Sequence, residues 1–154
     1  MKKIRVASLV MAIVMLAMCA VSCSKSEKVN INCTISVYVG EEVYLDSYAY
    51  TVQGTVDNPP TVLQAASEAF TIMEFPYEVD DKGQSFTCIT LDGVDYATGM
   101  NVEGTAIGLW EYTADGVAPK EGRAGTNAVL EGQHIVFNYS EELLDPQEFS
   151  SGEE

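Results

Sequence analysis

The chain has 154 residues, a formal net charge of −15 and 47% hydrophobic residues. This length is enough for one domain with a hydrophobic core. Residues 1–22 hold three of the basic residues and no acid, so the remainder carries −18, which is −15 less those three positive charges. Such a surface repels phosphate backbones and anionic lipid headgroups, which excludes nucleic acid as a partner.

Residues 1–22 have the pattern of a secretory signal peptide. A cationic start precedes an apolar run from Val6 to Ala17, which is too short for an ordinary membrane-spanning helix. Small residues (Ala20-Val21-Ser22) then resemble a bacterial lipobox, so we expect Cys23 to carry lipid and residues 23–28 to form a tether. The alternative is plain secretion with Cys23 unmodified. The pattern predicts a lipoprotein on the extracytoplasmic face of the cell membrane.

Two cysteines remain after Cys23, namely Cys33 and Cys88. Outside the cytoplasm such a pair can form a disulfide. Two small, buried hydrophobic side chains account for them equally well, so both alternatives stay open. Neither has a histidine nearby, and we therefore expect neither a thiol nucleophile nor a zinc site.

The first half of the predicted domain, residues 29–140, begins with two strands and a helix. Residues 31–39 alternate between apolar and polar side chains, which is typical of a half-buried strand, and residues 43–54 predict a second one. Thr61 is expected to cap a helix near 62–72, with Gln64 reaching back as in a capping box. One face of this helix is predicted to carry an apolar stripe that consists of Leu63, Ala66, Phe70 and Met73.

The second half predicts three more strands, at 85–91, 106–113 and 133–139. The turn dipeptides Asp92-Gly93 and Asp115-Gly116 end the first two of them. Residues 141–154 are acidic with little to bury and are expected to be disordered. One helix among several strands indicates the α+β class. The order of elements suggests a β-grasp-like mixed sheet with the helix packed across it.

Three sequence blocks carry a family resemblance: residues 61–66 at the helix start, residues 90–94 at a strand turn, and residues 108–116 together with 130–137. They resemble the C-terminal β-grasp domain of transcobalamin and intrinsic factor. The similarity is closer to bacterial surface domains of unknown function, and it spans about residues 61–139. Two features depart from the pattern: Ala114-Asp115-Gly116 stands where Asn-Gly is commoner, and Gln133 where an Asp usually follows the turn glycine.

The resemblance implies a module that closes over one side of cobalamin, while a large helical domain holds the rest of the ligand. We find no room for that helical domain in this chain. The resemblance therefore implies a corrinoid only as one candidate ligand, and no resident cofactor is expected.

The only tryptophan, Trp110, shares one face of its predicted strand with Tyr112. Two such rings make a flat platform on which a sugar, corrin or aromatic ligand can stack. The alternative is that both rings pack under the helix as part of the core. If a small-molecule site exists, we expect it around these two rings and the loops at 93–105 and 115–127.

Other polar residues give weaker signals. His134, the only histidine, is predicted to face solvent or the sheet edge. Asp92, Asp95, Asn101 and Glu103 offer oxygens in one loop region, but calcium requires six to eight and the spacing matches no EF-hand. Turn chemistry explains them better, and no metal site is expected.

The sequence contains neither a nucleophile elbow nor a glycine-rich phosphate loop. We therefore expect no enzymatic activity. Two functions remain. One is a surface-tethered module that binds a small molecule, and the other is a structural or adhesive module that binds another protein or the cell wall.

Overall fold

The computed structural model describes residues 26–120 and 122–144. The predicted signal peptide and Cys23 lie outside the described residues, as do residues 145–154 of the predicted tail. The elements in chain order are β1 (Lys28–Val39), β2 (Glu42–Thr55), α1 (Val62–Ile72), β3 (Tyr77–Val79), β4 (Phe86–Leu91), β5 (Val94–Ala97), β6 (Gly99–Met100), β7 (Ala106–Ala114) and β8 (Gln133–Leu143).

The strands form a large mixed sheet and a small antiparallel one. The large sheet has the order β2-β1-β8-β7-β6, and the small sheet has the order β3-β4-β5. In the large sheet β1 and β8 pair in parallel, whereas its other pairs are antiparallel. A parallel pair needs a long crossover connection, and here that connection contains α1 and the small sheet. A sheet-dominated fold with one described helix confirms the predicted α+β class.

The helix begins where the sequence predicts. Thr61 has extended backbone angles, and its Oγ1 accepts a hydrogen bond from the backbone N–H of Gln64 at 3.2 Å, which satisfies one of the free donors of the first turn. The reciprocal half of the capping box is not formed. Instead, the Gln64 side chain donates to the Gln53 carbonyl and to Glu68.

One hydrophobic core joins α1 to both sheets. The helix contributes Phe70, whose side chain is completely buried, together with a row of alanines. These small side chains let the helix lie close to the strands. The fully buried core residues of the strands are Ile35, Val37, Val52, Ile89, Leu91 and Ile135. Among the described residues, no helix is long and apolar enough to cross a membrane.

The structure departs from the predicted elements in two places. The short strands β3, β5 and β6 were not predicted. The last strand continues to Leu143 and does not stop at Tyr139, because residues 140–143 pair with residues 106–109 of β7. The expectation that disorder starts at residue 141 is therefore wrong. The acidic residues at this end are held in the sheet by backbone hydrogen bonds to β7. Without them, the backbone N–H and C=O groups of β7 on this side would lack partners.

Candidate functional site

A cavity of about 310 Å³ lies beside β7, and we call it the β7-edge cavity. Buried Phe86 of β4 and Phe137 of β8 line it together with Trp110 and Tyr112 of β7. The remaining lining residues come from the start of β4, from β7 and from the following loop: Ser85, Glu111, Thr113, Ala118, Pro119, Gly122, Arg123 and Ala124. The cavity thus combines an aromatic wall with a polar rim.

The cavity follows an open strand edge. On the side away from β8, β7 pairs with β6 only at Ile107 and Gly108, and an isolated bridge joins Ala114 to Val117. Between these points, residues 109–113 have no strand partner on that side within the described part of the chain. Four consecutive residues, 110–113, line the cavity, as expected for a cavity at an edge. Backbone donors and acceptors of an edge strand are available to a ligand.

The two rings singled out in the sequence lie together at the margin of the core. The Trp110 indole N–H donates to the Tyr96 carbonyl at 2.7 Å, and its ring lies 5.2 Å from that of Tyr139. Tyr112 lies 5.8 Å from Phe137 and accepts a hydrogen bond from the side-chain amide of Asn127. Both rings are half-buried. They therefore pack against the core on one side and line the β7-edge cavity on the other.

The loop that covers the cavity is tied to the turn before β4. The backbone N–H of Gly125 donates to the Gln84 carbonyl at 2.8 Å. A guanidinium nitrogen of Arg123 lies 3.2 Å from a carboxylate oxygen of Asp80. The other oxygen of Asp80 accepts the N–H groups of Gln84 and Ser85 at 2.6 and 3.3 Å. These contacts fix the position of the cavity's rim.

Asp80 remains ionised in this position. The pKa of its carboxyl is lowered mainly by the hydrogen bond from Gln84, with smaller contributions from Ser85, Arg123 and Lys82. Sequence reasoning missed the pairing of Asp80 with Arg123, because the two are 43 residues apart and neither belongs to a motif.

Of the two loops expected at the site, only one lines it. Residues 118, 119 and 122–124 of the second loop do, whereas residues 93–105 are absent from the lining. From that first loop, the Tyr96 carbonyl accepts the hydrogen bond of the Trp110 indole. Asn101 instead closes its own turn, since its Oδ1 accepts the N–H groups of Thr105 and Ala106 at 2.8 and 3.2 Å. Among the described residues, no group of three or more His, Cys, Asp or Glu could hold a metal ion.

His134 lies away from the β7-edge cavity. It belongs to the inner strand β8, so the alternative that it lies at the sheet edge is wrong. Its Nδ1 is 2.7 Å from the hydroxyl of Thr34 on β1, and its side chain is half-buried. Ile135, Phe137 and Tyr139 alternate onto the opposite face of the strand and are buried, as the alternation predicts.

The two cysteines are unpaired. Cys33 is buried in β1 of the large sheet, and Cys88 is half-buried in β4 of the small sheet. The disulfide considered from the sequence is not formed in the structure. Burial raises the pKa of both thiols, which keeps them protonated and poorly reactive.

Together, the fold and the cavity define a small α+β module with a ligand-sized cavity at a strand edge. No family model and no curated protein matches the chain. Among solved structures, it is similar to haptocorrin in complex with Cbi, with 22% sequence identity and a TM-score of 0.50. It is also similar to a suggested metal-binding protein from Ruminococcus gnavus ATCC 29149, with 17% identity and a TM-score of 0.40.

The two similarities differ in how much of each protein they cover. The haptocorrin match covers 75% of this chain and 26% of haptocorrin, so the chain spans about a quarter of that protein's length. The Ruminococcus gnavus match covers 73% of this chain and 98% of the other protein. At these identities the likeness to haptocorrin shows a shared fold.

Proposed function

We propose that this chain is a non-catalytic ligand-binding module that holds part of a small molecule in the β7-edge cavity, with a corrinoid as one candidate. The observation that carries the proposal is the cavity itself: about 310 Å³ in volume, with Trp110 and Tyr112 in its wall. Ligand sites are concave, mostly apolar and supplied with a few polar groups. The likeness to haptocorrin, which was solved in complex with Cbi, supports the same function.

A β-grasp-like topology is part of this proposal. It is supported by the strand order, in which β1 and β8 pair in parallel at the middle of the large sheet. Their antiparallel partners β2 and β7 flank them, and α1 follows the first hairpin. This arrangement accounts for the sequence resemblance to the transcobalamin-type domain.

The size of the cavity indicates what share of a ligand it holds. Pockets that enclose a drug-sized ligand have volumes of roughly 300–1,000 Å³, so 310 Å³ is near the lower limit. A corrinoid is larger than such a ligand and would insert only one edge. A second protein would then cover the rest, and the isolated module would bind weakly.

A non-catalytic role is supported by the position of the histidine. The cavity lining supplies a carboxylate from Glu111 and a hydroxyl from Ser85. His134, which could act as their proton-transfer partner, is not part of the lining and is engaged with Thr34. We therefore assign the cavity to binding.

Titrating the protein with cobinamide, cobalamin, haem and short glycans tests the proposal. Trp110 is the sole tryptophan, so its fluorescence reports on this site, after correction for absorption by coloured ligands. We expect a saturable change with at least one ligand. Tyr112→Ala should weaken binding about fivefold, since losing an aromatic contact costs on the order of 1 kcal/mol.

Tyr38→Ala is the matched control, because Tyr38 is a half-buried tyrosine of the same sheet but lies outside the cavity lining. It should leave the affinity unchanged. If the emission stays that of a buried tryptophan and no ligand alters it, the small-molecule function is rejected. The alternative of a structural or adhesive module that binds a protein or the cell wall would then stand.

We also propose that lipid on Cys23 anchors the chain to the extracytoplasmic face of the membrane. The sequence pattern before Cys23 supports this. Cys23→Ala should abolish incorporation of labelled palmitate and release the protein into the soluble fraction. Cys88→Ala should stay in the membrane fraction with its label, and membrane retention of unlabelled Cys23→Ala would contradict the proposal.

A further inference from the structure

Positive charge is concentrated at one place on this anionic domain. The described residues contain four basic side chains: Lys28, Lys82, Lys120 and Arg123. Lys28 begins β1, whereas the other three belong to the turn before β4 and to the loop that covers the β7-edge cavity. The acids, in contrast, are spread over the described residues, and Asp80 and Asp81 directly precede Lys82 in this turn.

Contacts between the turn and the loop bring these two segments together at the rim of the cavity. Gly125 donates to the Gln84 carbonyl, and Arg123 contacts Asp80. Ser85 and Arg123 both line the cavity, as does Pro119, which directly precedes Lys120. The charge of Lys82 acts on Asp80 as well.

Arg123 is placed to meet a ligand. Its side chain is 60% exposed, it lines the cavity, and one of its terminal nitrogens contacts Asp80 at 3.2 Å. A guanidinium has five N–H donors, so this single contact leaves donors for a ligand. Asp80 depends little on Arg123, because two backbone N–H groups already bind its carboxylate.

We infer that the β7-edge cavity selects a ligand with a carboxylate or phosphate group beside a flat ring, the ring lying against Trp110 and Tyr112 and the anionic group near Arg123. This inference rests on the proposed ligand-binding function and adds the charge of the ligand. At physiological ionic strength, charges beyond about 8 Å are largely screened. The distant acids of the chain are therefore screened at this rim. Of the nearby acids, Asp81 offsets Lys82 in the turn, and Asp80 already has its carboxylate bound by two backbone N–H groups. Glu111 also lines the cavity, and it disfavours an anion at the β7 side.

Three probes with one ring test the inference: 2-naphthoate, 2-naphthyl phosphate and the neutral 2-naphthamide. In the ¹⁵N-labelled full chain, the one indole N–H signal, from Trp110, follows each titration. We expect the anionic probes to bind about fivefold more tightly than the amide, the upper range for an exposed charge pair. The ratio between 2-naphthoate and 2-naphthyl phosphate identifies which anionic group is preferred. The preference should shrink as salt is raised.

Variants distinguish two roles of Arg123: selecting an anionic ligand, or only tethering the loop to the turn through Asp80. Arg123→Gln should weaken binding of the two anionic probes more than that of 2-naphthamide, so that the preference for anions is lost. Asp80→Asn keeps an oxygen acceptor for Gln84 but removes the competing charge, so it should tighten binding of the anionic probes. Lys28→Gln removes the same charge far from the cavity in sequence and should change nothing. If Arg123 and Asp80 were only a tether, both variants would weaken all three probes alike.

The outcomes also distinguish a failure of this inference from a failure of the proposed ligand-binding function. Equal binding of all three probes, or tighter binding of 2-naphthamide, overturns the inference while the cavity remains a binding site. If no probe moves the Trp110 signal in the wild-type chain, the cavity does not bind flat rings, and the proposed function fails together with the inference.

Discussion

Phe70→Ala is expected to lower the free energy of unfolding by about 4 kcal/mol. The Phe70 side chain is completely buried on α1. Its ring lies 5.2 Å from that of Phe86 and 6.0 Å from that of Phe137, so it joins the helix to both sheets. Alanine would lose these contacts and leave a cavity that the rigid strands cannot fill.

Urea denaturation followed by far-UV circular dichroism measures this loss. Ile72→Ala is the matched control, because Ile72 is on the same helix and 57% exposed. It should cost less than about 1 kcal/mol, since little apolar area is removed from the core. Equal effects of the two variants would contradict the assignment of Phe70 as the central core side chain.

Gly108→Ala is expected to cost about 3 kcal/mol, the upper range for overpacking. A Cβ at this position would overlap the Tyr139 hydroxyl and lie 2.6 Å from the Ala97 carbonyl oxygen. That oxygen belongs to β5, which is paired with β4, and it accepts the Tyr139 hydroxyl at 3.1 Å. Relief would require β5 to move away from β7. This cost exceeds the gain of roughly 0.5–1 kcal/mol from replacing glycine within a strand.

The thermal midpoint of Gly108→Ala should fall well below that of wild type. Leu109→Ala is the control on the same strand, because Leu109 is 39% exposed and its change creates no overlap. Since Tyr139 also packs against Trp110, Gly108→Ala should shift the tryptophan emission. An unchanged midpoint and emission would show that the small sheet does not press against β7.

The long elements of this fold could be predicted because their signals are local. Alternation along residues 31–39 shows which side chains face the core, and Cys33, Ile35 and Val37 are buried as this pattern requires. Thr61 caps α1 with its own side chain. Asp92-Gly93 and Asp115-Gly116 adopt positive φ at both residues, as type I′ turns need.

Strands β3, β5 and β6 could not be predicted in the same way. They contain three, four and two residues, too few to show a period of their own. Their strand character depends on partners, such as Gly108 for Gly99 in β6. The extension of β8 to Leu143 has the same cause, since β7 supplies the backbone partners for an acidic segment.

The sequence predicted only the part of the candidate site that lies on a single strand, β7. The alternation of β7 placed Trp110 and Tyr112 on one face. The rest of the site unites residues distant in sequence: loop residues 118, 119 and 122–124, the aromatic side chains of Phe86 and Phe137, and the contact between Arg123 and Asp80. No local pattern links them, because their approach depends on how the small sheet packs against the large one.

The sequence by itself thus determined the α+β class, the bounds of α1 and the shared face of Trp110 and Tyr112. Each follows from side-chain period, capping or turn chemistry acting over a few neighbouring residues. Only the tertiary structure decided that Cys33 and Cys88 lie in separate sheets, that β7 has an open edge, and that the loop with Arg123 meets the turn with Asp80 at the cavity. These features depend on which strand edges meet, and this is decided by burying the common core around Phe70.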